Sequence, residues 1–187
     1  MVRIIGGTAK GTLLKAPAGR STRPTLARTR ESIFNVLANI GLLETRVLDI
    51  FAGTGAMGLE ALSRGAASAT LIDKSTGRLL RENAAKCRFQ DRTDILGGDV
   101  ESALQSLRGR EYDYIFMDPP YRKGYIEKIL SLVIREALCA DGAVIVIEHD
   151  PAETIDISAY GTCLTLGKQK RMGPAVLTYL HYAKTGR

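Results

Sequence analysis

Val47-Leu48-Asp49-Ile50-Phe51-Ala52-Gly53-Thr54-Gly55-Ala56-Met57-Gly58 carries the signal that decides the fold. Val47–Phe51 is an apolar run of strand length interrupted by a single acid. It leads straight into glycines spaced as G-x-G-x-x-G, and Leu59-Glu60-Ala61-Leu62-Ser63-Arg64-Gly65 beyond them reads as helix. Glycines between a strand and a helix permit a tight turn and let the backbone approach a bound nucleotide closely. The next strand, 67–73, ends on Asp73. An acid about 20 residues past such glycines is where a ribose hydroxyl pair is expected. The glycine fingerprint alone does not separate NAD from S-adenosylmethionine.

Toward the carboxyl terminus the alternation continues. A helix is expected over 75–90, with Leu79, Leu80 and Ala84 inward, and a short strand over 94–97. Asp99 follows Gly98 as a third acid at a strand end. It suits two roles that are compatible: accepting an N–H from an adenine amine, and capping a helix over 100–108. The strand Tyr112-Asp113-Tyr114-Ile115-Phe116-Met117 then stops at Asp118-Pro119-Pro120-Tyr121. Two prolines cannot continue a central strand, because neither has an N–H for the ladder. They make a stiff corner that presents one carboxylate (Asp118), one carbonyl (Pro119) and one aromatic ring (Tyr121). The carboxylate and the carbonyl can each accept one N–H of a planar exocyclic amine, while the ring stacks on the base that carries it. A helix over 124–138, a buried strand ending at Glu148, and a hairpin of 162–170 with 175–183 around Met172-Gly173-Pro174 complete the chain. Strands alternating with helices predict an α/β fold, with a parallel sheet covered by helices on both faces and an antiparallel C-terminal hairpin.

Toward the amino terminus, residues 3–15 read as a small glycine-turned hairpin and 17–24 as a loop. Thr25 is expected to cap a helix with Ile33, Phe34, Leu37 and Ile40 on one face, ending at Gly41. Residues 1–45 form a basic extension, and 46–187 the main domain. Charge divides almost at the same place: residues 1–46 hold 8 basic and 2 acidic residues, and 47–187 hold 18 of each, so the net +6 lies in the first quarter. A basic arm beside a neutral body suggests contact with a polyanion, most simply nucleic acid. The 187 residues suffice for one domain with a real core. No apolar run reaches membrane-spanning length, and Met1–Gly6 is too short for a secretory signal, so a cytoplasmic protein is expected. Cys87, Cys139 and Cys163 lack metal-site spacing and read as small hydrophobes. With His149 and His181 the only histidines, no metal site is expected.

Val47–Gly58 with Asp73, Asp99 and Asp118–Tyr121 resembles the class I S-adenosylmethionine-dependent methyltransferases. Arg3-Ile4-Ile5-Gly6-Gly7, Thr22-Arg23-Pro24-Thr25, Arg28–Asn35 and Gly58–Ala66 narrow the resemblance to the bacterial RsmD family, which methylates the N2 amine of a guanine in 16S ribosomal RNA. Ala27 and Arg171–Pro174 depart from the family's pattern. The resemblance implies a Rossmann-like, mostly parallel seven-stranded sheet and S-adenosylmethionine as cofactor. The substrate implied is 16S rRNA, in the small ribosomal subunit or an assembly intermediate, and the enzyme is expected to be a monomer. Asp49, Phe51, Gly53, Thr54, Gly55 and Gly58 would surround the methionine part of the cofactor. Asp73 and Lys74 would lie at the ribose, Asp99 and Val100 at the adenine, and Asp118 beside the cofactor. Asp118, Pro119, Pro120 and Tyr121 would hold the target base, and Arg23, Arg28 and Arg30 would contact RNA. Other readings are an amino methyltransferase for DNA adenine N6 or protein glutamine, an NAD-dependent oxidoreductase, and a non-catalytic RNA-binding protein. The oxidoreductase leaves the double-proline corner unexplained, and the DNA enzyme lacks room for a target-recognition segment.

Overall fold

The computed structural model describes residues 2–16 and 24–184. A small hairpin of β1 (Val2–Arg3) and β2 (Leu13–Leu14) precedes α1 (Pro24–Ala38). Then follow β3 (Arg46–Ile50), α2 (Ala56–Ser63), β4 (Ser68–Asp73), α3 (Gly77–Cys87), β5 (Thr93–Gly97), α4 (Val100–Ser106), β6 (Tyr112–Met117), α5 (Tyr125–Arg135), β7 (Cys139–His149), β8 (Leu164–Met172) and β9 (Ala175–Tyr182). The main sheet has seven strands in the order β5-β4-β3-β6-β7-β9-β8. Strands β3 to β7 run parallel, and β9 is antiparallel to both β7 and β8. The strand order reverses between β3 and β6. At such a switch point the loops leave the carboxyl ends of adjacent strands in opposite directions and open a crevice.

Each sheet face buries its own core. Leu48, Ile50, Ile115, Ile145 and Leu180 face α4 and α5 residues such as Leu104, Ile129 and Val133. Val47, Leu71, Phe116, Val146 and Tyr179 share the other core with Leu59 and Leu62 of α2 and Leu80 of α3. The amino-terminal segment belongs to this second core: Ile4, Leu14, Ile33, Phe34 and Leu37 are buried in it. Phe34 packs on Phe116 with ring centroids 5.8 Å apart.

Two expectations for α1 need correction. The helix begins at Pro24, so Thr25 lies within its first turn rather than before it. Proline's fixed φ suits the first helical position. Ile40 is 53% exposed, because the helix ends at Ala38 and the chain turns off through Gly41, at φ 108°. No helix among the described residues is long and apolar enough to cross a membrane.

Candidate active site

The glycine loop is shaped by two different demands. Gly53 and Gly55 adopt positive φ, 57° and 76°, which turns the chain from β3 into α2. Gly58 is a contact glycine: a Cβ there would lie 2.3 Å from Leu71 Cδ2, so its absence lets α2 lie close on β4. A Cβ on Gly53 would meet nothing nearer than 3.9 Å, which leaves its backbone accessible to a ligand. Phe51 also holds a positive φ, 66°, and its ring meets Tyr125 edge-on at 5.6 Å. Thr54 is tied down through its carbonyl, which accepts from Asn83 Nδ2 at 3.0 Å.

Four neighbouring strands deliver acids or acceptors to one edge. Asp49 on β3 is buried, and its Oδ2 accepts the Gly58 N–H at 3.0 Å. Burial, with a smaller contribution from the Asp73 charge, raises its pKa to about 7 against the Gly58 hydrogen bond. Asp73 ends β4. Its Oδ2 accepts from Gly53 N, and its Oδ1 from Ser75 N and Thr76 N, each at 2.9 Å. Partial burial opposes its ionisation, but these hydrogen bonds outweigh burial and hold Asp73 below the ordinary carboxylate value. Lys74 beside it is exposed. Asp99 follows β5 and caps α4, accepting Ser102 N at 3.1 Å, so the capping role is the one the structure displays. Val100, next to it, is buried as the first residue of α4.

The double-proline corner leaves β6 beside this set. Met117 pairs with Ile50 of β3, so Asp118 stands level with the start of the glycine loop, one strand away. Asp118 and Pro120 are exposed, and Pro119 is buried. The Tyr121 hydroxyl donates to Glu148 Oε1 at 3.2 Å, at the end of β7. Burial first, then the negative charges of Glu148 and Asp118, push the Tyr121 phenol well above its ordinary pKa, so it stays a donor. Burial also raises Glu148, partly offset by that hydroxyl. The arrangement is a row of acceptors along the crevice, flanked by an aromatic ring whose hydroxyl is anchored.

These residues fit S-adenosylmethionine. Its ribose hydroxyls and adenine amine are donors that suit Asp73 and Asp99, and the open backbone at Gly53 leaves room beside Asp49 for the methionine end. Among the described residues no group of three or more His, Cys, Asp or Glu is placed to hold a metal ion.

The basic residues expected at RNA divide three ways. Arg23 lies outside the described residues. Arg28 is exposed on α1. Arg30 is 6% exposed and belongs to the interior: its Nη2 donates to the Arg3 carbonyl at 2.5 Å, and its Nε lies 3.7 Å from Glu60 Oε2. Arg30 is therefore withdrawn as a surface contact. Glu60, fully buried, also accepts Ile5 N at 2.7 Å, Gly6 N at 2.8 Å and Arg64 Nε at 2.7 Å. The stretch Arg3–Gly7 is thus a clasp on α2.

Two positions at the site are not marked by the sequence. Glu148 repeats the strand-end acid pattern of Asp73, Asp99 and Asp118, which was the signal available for it. Asn83 is an amide at an inward helical position between Leu80 and Ala84. It ties Lys15 to the glycine loop through Lys15 N, the Lys15 carbonyl and the Thr54 carbonyl.

A family model described as conserved hypothetical protein 95 matches residues 2–181. The chain is similar to ribosomal RNA small subunit methyltransferase D of Escherichia coli strain K12, at 38% identity over 80% of this chain and 75% of that protein. A protein of the same name from Buchnera aphidicola subsp. Acyrthosiphon pisum is 30% identical over 98% of this chain and 94% of its own. Among solved structures, that of E. coli yhhF superposes with a TM-score of 0.85 at 33% identity, covering 98% of this chain and 99% of that one.

Proposed function

The chain belongs to the RsmD family of methyltransferases, and from that premise we propose that it transfers a methyl group from S-adenosylmethionine to the N2 amine of one guanine in 16S rRNA. The observation that carries this reading is the position of Asp118-Pro119-Pro120-Tyr121, one strand from the glycine loop at the switch point of the sheet.

When bound, S-adenosylmethionine supplies an electrophilic methyl group on a sulfonium. The protein's task is then to position and polarise the amine. Guanine N2 is a weak nucleophile because its lone pair is conjugated with the ring. Asp118 and the Pro119 carbonyl accept hydrogen bonds from its two N–H groups, which turns the lone pair out of conjugation; after methylation one of those protons leaves the nitrogen to solvent. Asp118 also stabilises the positive charge that grows on nitrogen. The proline corner fixes both acceptors in advance, and holding reactants in place can lower a barrier by roughly 7–11 kcal/mol. Tyr121 offers its face to the base, with Glu148 anchoring its hydroxyl. The guanine must leave its stack to reach this corner. Asp73 holds the ribose, Asp99 with Val100 the adenine, and the loop from Phe51 to Gly58 with Asp49 the methionine end. The protein acts as a monomer and needs no metal.

The test uses labelled S-adenosylmethionine with 16S rRNA, small subunits and DNA from cells lacking the protein, followed by nucleoside identification. N2-methylguanosine in 16S rRNA is the expected product. N6-methyladenosine, or label in DNA or protein alone, overturns the guanine assignment.

A further inference from the structure

We propose that the groove between α1 and β8 is a second RNA-binding surface, which takes the sugar–phosphate backbone flanking the target base. The inference rests on the RNA methyltransferase reading above. The groove encloses about 430 Å³ and is lined by Arg28, Glu31, Ser32, Asn35, Lys170 and Met172, among others. None of these has a role at the crevice.

Charge selects the occupant. Strand β8 carries Lys168, Lys170 and Arg171, all exposed, and no acid; Lys170 lines the groove, while Lys168 and Arg171 extend the basic strand beyond that lining, Arg171 from the opposite face. This concentration stands out in a body, residues 47–187, whose 18 cations and 18 anions cancel. Exposed Arg28 faces the groove from α1, and among the described residues Glu31 is the one acid in its lining. A polyanion gains from such a strip by releasing its counterions.

Position ties the groove to the chemistry. Lys170 pairs with Leu177, and Leu177 with Glu148, so Lys170 lies two strands from the residue that anchors Tyr121. At the usual strand spacing that is about 10 Å between backbones. RNA entering past Tyr121 therefore crosses β8 within a nucleotide or two. The groove is also ordered for contact: Lys170 Nζ donates to Ser32 Oγ at 2.9 Å, which holds the ammonium over the groove, and Asn35 adds amide donors beside it. Edge-strand lysines also discourage strand pairing between molecules. That role requires neither the groove nor the cations of α1, and it predicts no effect on RNA.

The test compares the full-length protein with the triple variant Lys168→Gln, Lys170→Gln, Arg171→Gln. A control neutralises three exposed cations, Arg81→Gln and Lys86→Gln on α3 and Arg88→Gln at its C-terminal cap. Affinity for naked 16S rRNA and for small ribosomal subunits is measured across a salt series, with S-adenosylmethionine affinity alongside. The β8 variant is expected to bind RNA at least about tenfold more weakly. Its plot of log affinity against log salt should flatten by roughly one unit per contact removed. Cofactor affinity should stay the same, and the α3 set should shift RNA binding far less. An unaltered slope in a wild-type background that still methylates rRNA overturns the groove alone. Equal losses from both triple variants reduce the effect to bulk charge and overturn it too. Loss of binding to the assembled particle with naked-RNA binding intact assigns β8 to a ribosomal protein, against the inference. A wild-type protein that binds neither naked rRNA nor small subunits overturns the reading beneath it.

Discussion

At the residue scale, the crevice separates carboxylates by environment. Asp73 is ionised because backbone N–H groups hold it, whereas Asp49 is poised near pH 7 because burial disfavours its charge. Asp73→Ala is predicted to weaken S-adenosylmethionine binding in calorimetry, and equal affinity would place the ribose elsewhere. Asp49 makes a prediction about stability. Its folded pKa of about 7 lies above the unfolded value of about 3.9, so the native state holds the proton more tightly. Its contribution is therefore full below the unfolded value and is lost as pH rises through 7. Asp49→Asn cannot ionise and keeps an oxygen for Gly58 N. Its stability relative to wild type should grow by up to about 2–3 kcal/mol from pH 5 to pH 8, read by urea unfolding. A difference that does not change with pH would show that Asp49 is solvated.

At the element scale, α2 is the meeting point of the two ends of the fold. Its Gly58 lies against β4, its amino end carries the glycine loop, and its Glu60 and Ser63 hold the amino-terminal clasp. Gly7 sits so close that a Cβ would fall 1.7 Å from the Ser63 carbonyl oxygen. Ser63 Oγ accepts from Ala9 N at 2.9 Å and donates to the Gly6 carbonyl. Removing Glu60 strands two backbone N–H groups and a buried guanidinium, so Glu60→Ala is predicted to cost about 3–5 kcal/mol in urea unfolding. A loss below about 1 kcal/mol would mean that the clasp is held by packing alone. The sequence made the glycine loop, the strand-end acids and the double-proline corner legible, because each is a local pattern with a local cause. The clasp was not legible. Arg30 and Glu60 lie far apart in the chain, and a count of charges cannot tell a paired guanidinium from a free one. Ile40 continued the apolar stripe of α1 on paper, yet the helix had already ended.

At the scale of the whole molecule, residues before β3 complete a core rather than hang from it. Ile4, Leu14, Phe34 and Leu37 cover the sheet face that bears Val47, Phe116 and Tyr179. A single cooperative transition is predicted in calorimetry, with van't Hoff and calorimetric enthalpies equal. Two separate transitions would make 1–45 an independent unit. The same joining ties α1 to the double-proline corner. Phe34 of α1 packs on Phe116, two residues before Asp118, so exposed Arg28 moves with the double-proline corner.

The central claim is that Asp118, on a rigid corner, prepares an amine for methylation, and single-turnover methyl transfer by Asp118→Ala tests it most directly. The predicted result is a rate at least about 100-fold below wild type, the scale expected when a group acting on developing charge is removed. Affinities for 16S rRNA and S-adenosylmethionine should be retained within about twofold. A variant that binds both and transfers the methyl group at the wild-type rate would contradict the account.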